Sequence, residues 1–281
     1  MRARALAVIT SIAMVGLLLS LPVANLMADE AADPGRAAVV GGLARGVDRD
    51  TAEPAGPRQH VIGNSVEGRP LEVTEIGTGD TAIVLIGGIH TGPEVGTVYL
   101  VRELKDHFAS NPGQIPPGIR LVFLPNANPD GYVHGTRLNA RNVDLNRNWL
   151  TDDWEPIATH GRHQVSAGDA PLSEPETQAL YHYLLDLGPH FALSYHGYVG
   201  LIEDNGAQRS WDLSSVYAAA AGYDHISDWP YYDITGQFID SMAEAGIAAA
   251  DVELVEDDPD NFSRNLAGVL AVLDLVGRVG I

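Results

Sequence analysis

The sequence predicts an α/β fold: a single domain with a mostly parallel or mixed central sheet and helices on both faces. From about residue 70 onward, short aliphatic runs alternate with longer segments of helical periodicity, the order that builds helix-covered sheets. The 281 residues are 45% hydrophobic and 19% charged. That composition supports a sizeable core, and its apolar runs are too interrupted for a protein with many membrane spans.

The elements of this fold can be placed along the chain in order. Strands are predicted at 71–76 and 81–86, and the glycine-containing turn between them predicts a hairpin. A helix is predicted over 94–108, with Pro93 in the position that suits a first helical turn. Ser173 and Glu176 have the spacing of a capping box at the start of another helix. The remaining predicted elements are a strand at 119–124, that helix at 173–187, a strand at 191–195, helices at 212–221 and 236–245, a strand at 251–255 and a helix at 262–276.

The amino-terminal segment has its own composition. Residues 1–28 carry Arg2 and Arg4 before a long apolar run, which predicts a secretory signal peptide and therefore a secreted or cell-envelope protein. The alternative is an uncleaved membrane anchor, because the apolar run approaches the length of a bilayer span. Residues 29–58 have the composition of a flexible linker, so the folded catalytic domain is predicted at 59–281.

Charge and cysteine content exclude several functions. There are 17 basic and 37 acidic side chains, for a formal net charge of −20, which disfavours binding to nucleic acid. The chain has no cysteine, so disulfides, a cysteine nucleophile and thiolate metal sites are excluded. Any metal site must use histidine and carboxylate ligands.

Polar residues with metal-binding chemistry stand at predicted strand ends, where ligands gather in α/β sheets. His90 follows one strand, Glu94 opens the next helix, and His196 ends a later strand. A catalytic zinc takes three such ligands and leaves a position for water. Each residue also has an ordinary explanation, because a strand-end histidine is often only hydrogen-bonded and a glutamate in a first helical turn complements the helix dipole.

Six short motifs place these residues in a wider pattern. In chain order they are Gly68-Arg69-Pro70, Gly87-Gly88-Ile89-His90, Asn128-Pro129-Asp130-Gly131, Asp144-Leu145-Asn146-Arg147-Asn148-Trp149, Ser194-Tyr195-His196-Gly197 and Val252-Glu253-Leu254. Together they resemble the zinc carboxypeptidase family, typified by the pancreatic carboxypeptidases A and B. The chain departs from the family in one place: three residues separate His90 from Glu94, where the family usually has two.

The resemblance implies roles for individual residues. His90, Glu94 and His196 would bind one Zn²⁺, and Glu253 would be the general base. Arg137 would polarise the carbonyl of the bond to be cleaved. These roles agree with zinc chemistry, in which a carboxylate beside the metal takes a proton from water and passes it to the leaving amine.

The same resemblance implies a binding site for the substrate's carboxylate. Asn146 and Arg147 would bind the C-terminal carboxylate, and a guanidinium group matches a carboxylate in a bidentate manner. Tyr232, or its neighbour Tyr231, lies where the family carries a substrate-capping tyrosine, and simple packing is the alternative for both. His160 and His163 have metal-like spacing, but their polar loop favours solvent exposure.

The function expected from the sequence is therefore an exported zinc metallocarboxypeptidase that hydrolyses the C-terminal peptide bond of peptides. One alternative is a zinc-dependent deacylase of N-acyl amino acids. Another is a catalytically silent module that binds carboxylates. Peptides are the expected partners, nucleic acid is not, and a membrane would be contacted only through an uncleaved amino-terminal segment.

Overall fold

The computed structural model describes residues 56–279. The predicted signal peptide, and the predicted linker up to residue 55, lie outside the described residues. Within the described range, no helix combines the length and the apolar character needed to cross a membrane.

Ten strands and six α-helices make up the part of the chain that the structure describes. The strands are β1 (Arg58–Asn64), β2 (Pro70–Gly77), β3 (Thr81–Ile86), β4 (Ile119–Leu124), β5 (Ile157–His160), β6 (His163–Ser166), β7 (Phe191–Gly197), β8 (Leu201–Asp204), β9 (Asp224–Ile226) and β10 (Ala249–Leu254). The helices are α1 (Gly96–Ser110), α2 (Pro129–His134), α3 (Pro175–Leu187), α4 (Gln208–Ala221), α5 (Phe238–Glu244) and α6 (Asn261–Val279).

Eight of these strands form one mixed sheet, in the order β1-β2-β4-β3-β7-β10-β8-β9. The inner strands β4, β3, β7 and β10 run parallel to one another. One apolar cluster joins this sheet to α1, α4 and α6, and a second joins its opposite face to α3 and α5. The predicted α/β class, with a mixed sheet covered on both faces, is confirmed.

The predicted hairpin between β2 and β3 is wrong. Strand β4 lies between them and pairs antiparallel with β2 and parallel with β3. The short connection must therefore pass over the start of β4. A side chain on Gly79 would lie 1.8 Å from the carbonyl carbon of Gly118, so the glycines that suggested a tight turn instead permit two backbones to cross closely.

The predicted capping box of α3 is also absent. The helix begins at Pro175 after Glu174, and no side chain caps it. The hydroxyl of Ser173 donates to Glu174 instead, and Glu176 accepts from the backbone N–H of Val66 near β1. The two side chains that the local pattern assigned to the helix end thus have other partners, an adjacent carboxylate for Ser173 and a distant backbone N–H for Glu176.

Candidate active site

Three neighbouring parallel strands, β3, β7 and β10, end at the same edge of the sheet. His196 lies in β7 directly opposite Glu253 in β10, and Ser194 lies opposite Asp251. Residues that face each other across paired strands project from the same side of the sheet. The register therefore brings His196 and Glu253 to one side of this edge.

The segment after β3 supplies two more polar residues. Gly92, Pro93 and Glu94 form a single 3₁₀ turn, and Gly92 has a φ of +62°. A side chain at Gly92 would approach the carbonyl oxygen of Gly135 to 2.8 Å, so glycine is required there. The turn accommodates the third residue between His90 and Glu94, where the family usually has two. It places Oε2 of Glu94 3.3 Å from Nδ1 of His90.

Three buried donor atoms form a nearly equilateral triangle. Nδ1 of His90 lies 3.1 Å from Nδ1 of His196, and Oε2 of Glu94 lies 3.3 Å and 3.6 Å from those two atoms. Tetrahedral zinc with bonds of about 2.0–2.1 Å separates its ligand atoms by about 3.3–3.4 Å. The measured separations fit zinc, and among the described residues these three form the only group of that kind.

The outer ring nitrogens of both histidines are held by other side chains. Nε2 of His90 lies 2.8 Å from Oδ1 of Asp144, and Nε2 of His196 lies 2.7 Å from Oγ of Ser194. When these outer nitrogens carry the protons, the two Nδ1 atoms point their lone pairs at each other. A cation between them removes that repulsion, and hydrogen bonds from the outer nitrogen are the usual support of metal-binding histidines.

Arg137 connects the carboxylates around this triangle. Its guanidinium group donates to Oε1 of Glu94 and, through Nε, to Oδ2 of Asp144 at 3.1 Å. Burial opposes ionisation of Glu94, but His90, His196 and Arg137 outweigh it and hold the pKa of Glu94 well below its usual value. The two histidines, with a smaller contribution from Arg137, thus keep Glu94 in the charged form that a metal requires.

All of the site residues predicted from the sequence line a single cavity of about 340 Å³. They are His90, Glu94, Arg137, Asn146, Arg147, His196, Tyr232 and Glu253. Residues from distant parts of the chain therefore meet at one edge of the sheet, although their individual roles remain predictions.

The side chain of Glu253 is an unpartnered carboxylate of this cavity. No described residue forms a hydrogen bond or ion pair with its side chain. Burial, with smaller contributions from Glu94 and Asp251, outweighs His196 and raises the pKa of Glu253 to about 8. A carboxylate with a raised pKa and no protein partner is chemically suited to accept and release a proton.

Arg147 is held at the cavity wall by backbone carbonyl groups. Its Nε donates to the carbonyl of Thr159 at 3.1 Å, and its Nη1 donates to that of Asn146 at 2.7 Å. The residue is only 2% exposed. The side chain of Asn146 accepts from the backbone N–H of Phe238 at 2.8 Å and donates to Asp251 at 3.4 Å. Both predicted carboxylate-binding residues are therefore fixed before a substrate arrives.

The aromatic wall of the cavity differs from the sequence expectation in one respect. His160 was expected in solvent, but it lines the cavity, with its ring 6.4 Å from that of Tyr232. The reason is the small β5–β6 hairpin, which the polar sequence did not reveal and which folds over the site. Tyr231 and Tyr232 both line the cavity, and their ring centroids lie 5.1 Å and 5.9 Å from that of Trp229. Tyr231 is 61% exposed.

Two acidic residues of the site were missed by the sequence analysis. Asp251 in β10 and Glu203 in β8 lie directly opposite each other, and both line the cavity. Burial, Asp251 and Asp240 raise the pKa of Glu203 to about 8. Strand β8 has only four residues, too few for a periodic pattern to show which side chains face the site.

The raised pKa of Glu203 gives the stability of the chain a defined pH dependence. Its pKa rises from 4.5 to about 8 on folding, so between these values the Glu203 carboxyl is more protonated in the folded chain than in the unfolded chain. The contribution of this group to the free energy of unfolding therefore falls as pH rises. Without that carboxyl, Glu203→Gln is expected to be more stable than the unaltered chain by about 2–4 kcal/mol at pH 8.

Urea denaturation of both chains in the presence of a chelator measures this difference. At pH 5 the two free energies of unfolding should nearly coincide, because the Glu203 carboxyl is then largely protonated when folded. A stability difference that does not change between pH 5 and pH 8 would contradict a raised pKa for Glu203.

Comparison with known sequences finds similarity to carboxypeptidases and to a murein peptide amidase. The sequence profile described as zinc carboxypeptidase matches residues 49–225, more than half of the chain. Carboxypeptidase SOL1 of Arabidopsis thaliana is 32% identical over 151 residues, which are 50% of this chain and 29% of that protein. Murein peptide amidase A of Escherichia coli is 41% identical over 86 residues, 27% of this chain and 36% of that protein. The alignments thus span about a third of these relatives.

Solved structures show the same fold. Carboxypeptidase A from Helicoverpa armigera has a TM-score of 0.68 at 18% identity, covering 79% of this chain and 69% of that chain. The murein-tripeptide amidase MpaA from Escherichia coli O157 has a TM-score of 0.59 at 22% identity, covering 81% and 94% of the two chains. The profile match, which spans most of the motifs and the metal-binding triangle, decides the classification: the chain belongs to the zinc carboxypeptidase family.

Proposed function

We propose that the chain is an exported zinc metallocarboxypeptidase that removes the C-terminal residue of peptides. One observation carries this proposal: the histidine–glutamate triangle, the unpartnered Glu253 and the buried Arg147 all line the same cavity. A metal site alone would suit many hydrolases. A fixed arginine beside it adds a means of selecting the end of a chain that carries a free carboxylate.

Each residue has a defined task in this reaction. Zn²⁺ held by His90, Glu94 and His196 supplies a Lewis acid that acidifies water and polarises a carbonyl. The carboxylate of Glu253 takes a proton from the attacking water and delivers it to the nitrogen of the leaving residue. Arg147 binds the terminal carboxylate and so determines which peptide bond lies beside Glu253.

Arg137 has a dual task under this proposal. Two of its donors already hold Glu94 and Asp144, which fixes the guanidinium group beside the metal ligands. The group also lines the cavity, where its charge would stabilise negative charge that develops on the carbonyl oxygen during attack. This second task is the one that the family resemblance implies.

Export is the part of the proposal that rests on residues 1–28 alone. Their basic start and apolar run are typical of a cleaved signal peptide. Mass spectrometry of the chain recovered from the producing cell tests whether this segment is removed. A mature chain that lacks this segment would support cleavage, and an intact segment in the membrane fraction would favour the anchor.

The free carboxylate of the substrate provides the test of the direction of cleavage. If Arg147 and Asn146 bind that carboxylate, amidation of a peptide's C-terminus should lower kcat/KM by about 100-fold or more, since a buried charged partner is lost. Rates on paired free and amidated peptides measure this effect. Equal rates would indicate an endopeptidase, and activity confined to N-acyl amino acids would favour the deacylase.

A further inference from the structure

A second cavity adjoins the active-site cavity and is strongly acidic. Its volume is about 420 Å³, and it shares five residues with the first cavity: Glu203, Trp229, Tyr232, Ile234 and Gln237. The described residues around it include neither lysine nor arginine. Its carboxylates belong to Glu203, Asp204, Asp228, Asp233 and Asp240. A substrate group that passes Glu203 therefore meets a region lined by carboxyl groups and by no lysine or arginine.

Glu203 differs from its neighbour Asp204 in having no partner. Asp204 accepts hydrogen bonds at 2.8 Å and 2.7 Å from His225 and Ser227. Glu203 is only 4% exposed, yet no described residue forms a hydrogen bond or ion pair with its carboxylate, and it lines both cavities. An unpartnered buried carboxylate lowers stability, and directly opposed acidic side chains such as Glu203 and Asp251 repel each other.

A ligand with positive charge would remove both penalties. A cation beside Glu203 provides the missing partner and offsets the repulsion from Asp251 and Asp240. The pKa of Glu203, raised to about 8 by burial and these neighbours, means that the carboxyl is largely protonated at neutral pH. An arriving cation displaces this proton and leaves a charged pair.

The position of Glu203 relative to the carboxylate-binding residues indicates which part of the substrate would carry that cation. Asn146 donates to Asp251, and Asp251 lies directly opposite Glu203. A residue whose carboxylate is held by Arg147 and Asn146 therefore lies next to the strand that presents Glu203. Trp229 lines both cavities and offers an apolar surface for the methylene groups of a long side chain.

We propose that Glu203 selects substrates whose C-terminal residue carries an ammonium or guanidinium group on its side chain. The proposal rests on the proposed carboxypeptidase function and adds a substrate class to it. Glu203 provides the direct partner of the cation, and Asp240 adds negative charge behind it. Substrates that end in lysine or arginine meet these requirements.

The experiment compares N-acylated glycyl dipeptides that differ only in their last residue. Lysine and norleucine have similar length, and only lysine carries a charge. We expect kcat/KM to be about 10- to 100-fold higher for lysine, with arginine similar to lysine and glutamate the poorest substrate. In Glu203→Gln, which keeps the shape of the side chain, the ratio of lysine to norleucine should fall to about 1.

Glu72→Gln is the matched control, because it changes the net charge equally at an exposed position of β2, a strand far from β8 in the sheet. Its ratio of lysine to norleucine should equal that of the unaltered chain. A ratio near 1 in the unaltered chain, or a high ratio that persists in Glu203→Gln, would overturn the assignment of Glu203 and leave the carboxypeptidase proposal intact.

Failure of the proposed function has a different signature. If no peptide is cleaved, the carboxypeptidase proposal fails, and calorimetric titration with free L-lysine and L-norleucine tests the acidic cavity alone. Lysine that binds more tightly than norleucine, with the difference lost in Glu203→Gln, would support the cation site. Equal binding of the two amino acids would refute it.

Discussion

Replacing Glu253 with glutamine is expected to lower kcat by about 100- to 10,000-fold, the usual contribution of a general acid–base group. Glutamine keeps the shape of the side chain but cannot accept the proton of the attacking water. Because Glu253 has no other partner among the described residues, the substitution breaks no structural contact. KM should change little, as expected for an interaction that forms mainly in the transition state.

The matched control for this substitution is Glu256→Gln. Glu256 is exposed and follows the end of β10, so its replacement should leave kcat within about 2-fold, as for most surface changes. Steady-state kinetics of the zinc-loaded proteins and a zinc analysis of each decide the matter. Full kcat in Glu253→Gln together with a large loss in Glu256→Gln would place the base three residues later and refute the geometry of this strand end.

His196→Ala is expected to lower the affinity for zinc by more than about 100-fold, because even residues that only support a zinc ligand contribute about 10- to 100-fold. The substitution removes one of three ligand atoms, and the chain has no cysteine that could replace it. We expect one Zn²⁺ per unaltered chain. Competition with a chromophoric chelator measures the affinity, and a chain that binds no divalent metal would refute the site.

Glu94→Ala tests the unusual spacing of the first motif. The 3₁₀ turn places Glu94 at the triangle despite the additional residue, so its loss should weaken zinc binding severely. The exposed helix residue His182 provides the control, and His182→Ala should bind zinc as the unaltered chain does. Unchanged affinity in Glu94→Ala would mean that another carboxylate of the cavity, such as Asp251, is the third ligand.

Much of the fold was predictable because its signals are local. The predicted strand at 119–124 coincides with β4, and the predicted helix over 262–276 lies within α6. The hairpin prediction failed because turn residues show that the chain changes direction but not which strand becomes its neighbour. The partner of β2 is fixed by β4, which begins more than forty residues after β2 ends, and sequence periodicity carries no signal over that separation.

For the candidate site too, some features were predictable from the sequence and others were fixed only by the tertiary structure. The sequence by itself determined which residues are candidates for the site, because His90, His196 and Glu253 stand at the ends of strands and belong to recognisable motifs. Only the tertiary structure decided that Nδ1 of each histidine faces the other, since Asp144 and Ser194 hold the opposite nitrogens. The orientation of a ring depends on partners that the order of the residues does not specify.

The position of Glu203 beside the active-site cavity is determined by strand pairing. Glu203 occurs in the sequence as one acidic residue among 37 aspartates and glutamates, and nothing local distinguishes it from those in solvent. Its place opposite Asp251 follows from the antiparallel register of β8 and β10, and the same position leaves it only 4% exposed. The electrostatic energy of a carboxylate depends on its distance to other charges and to water, and folding alone fixes those distances.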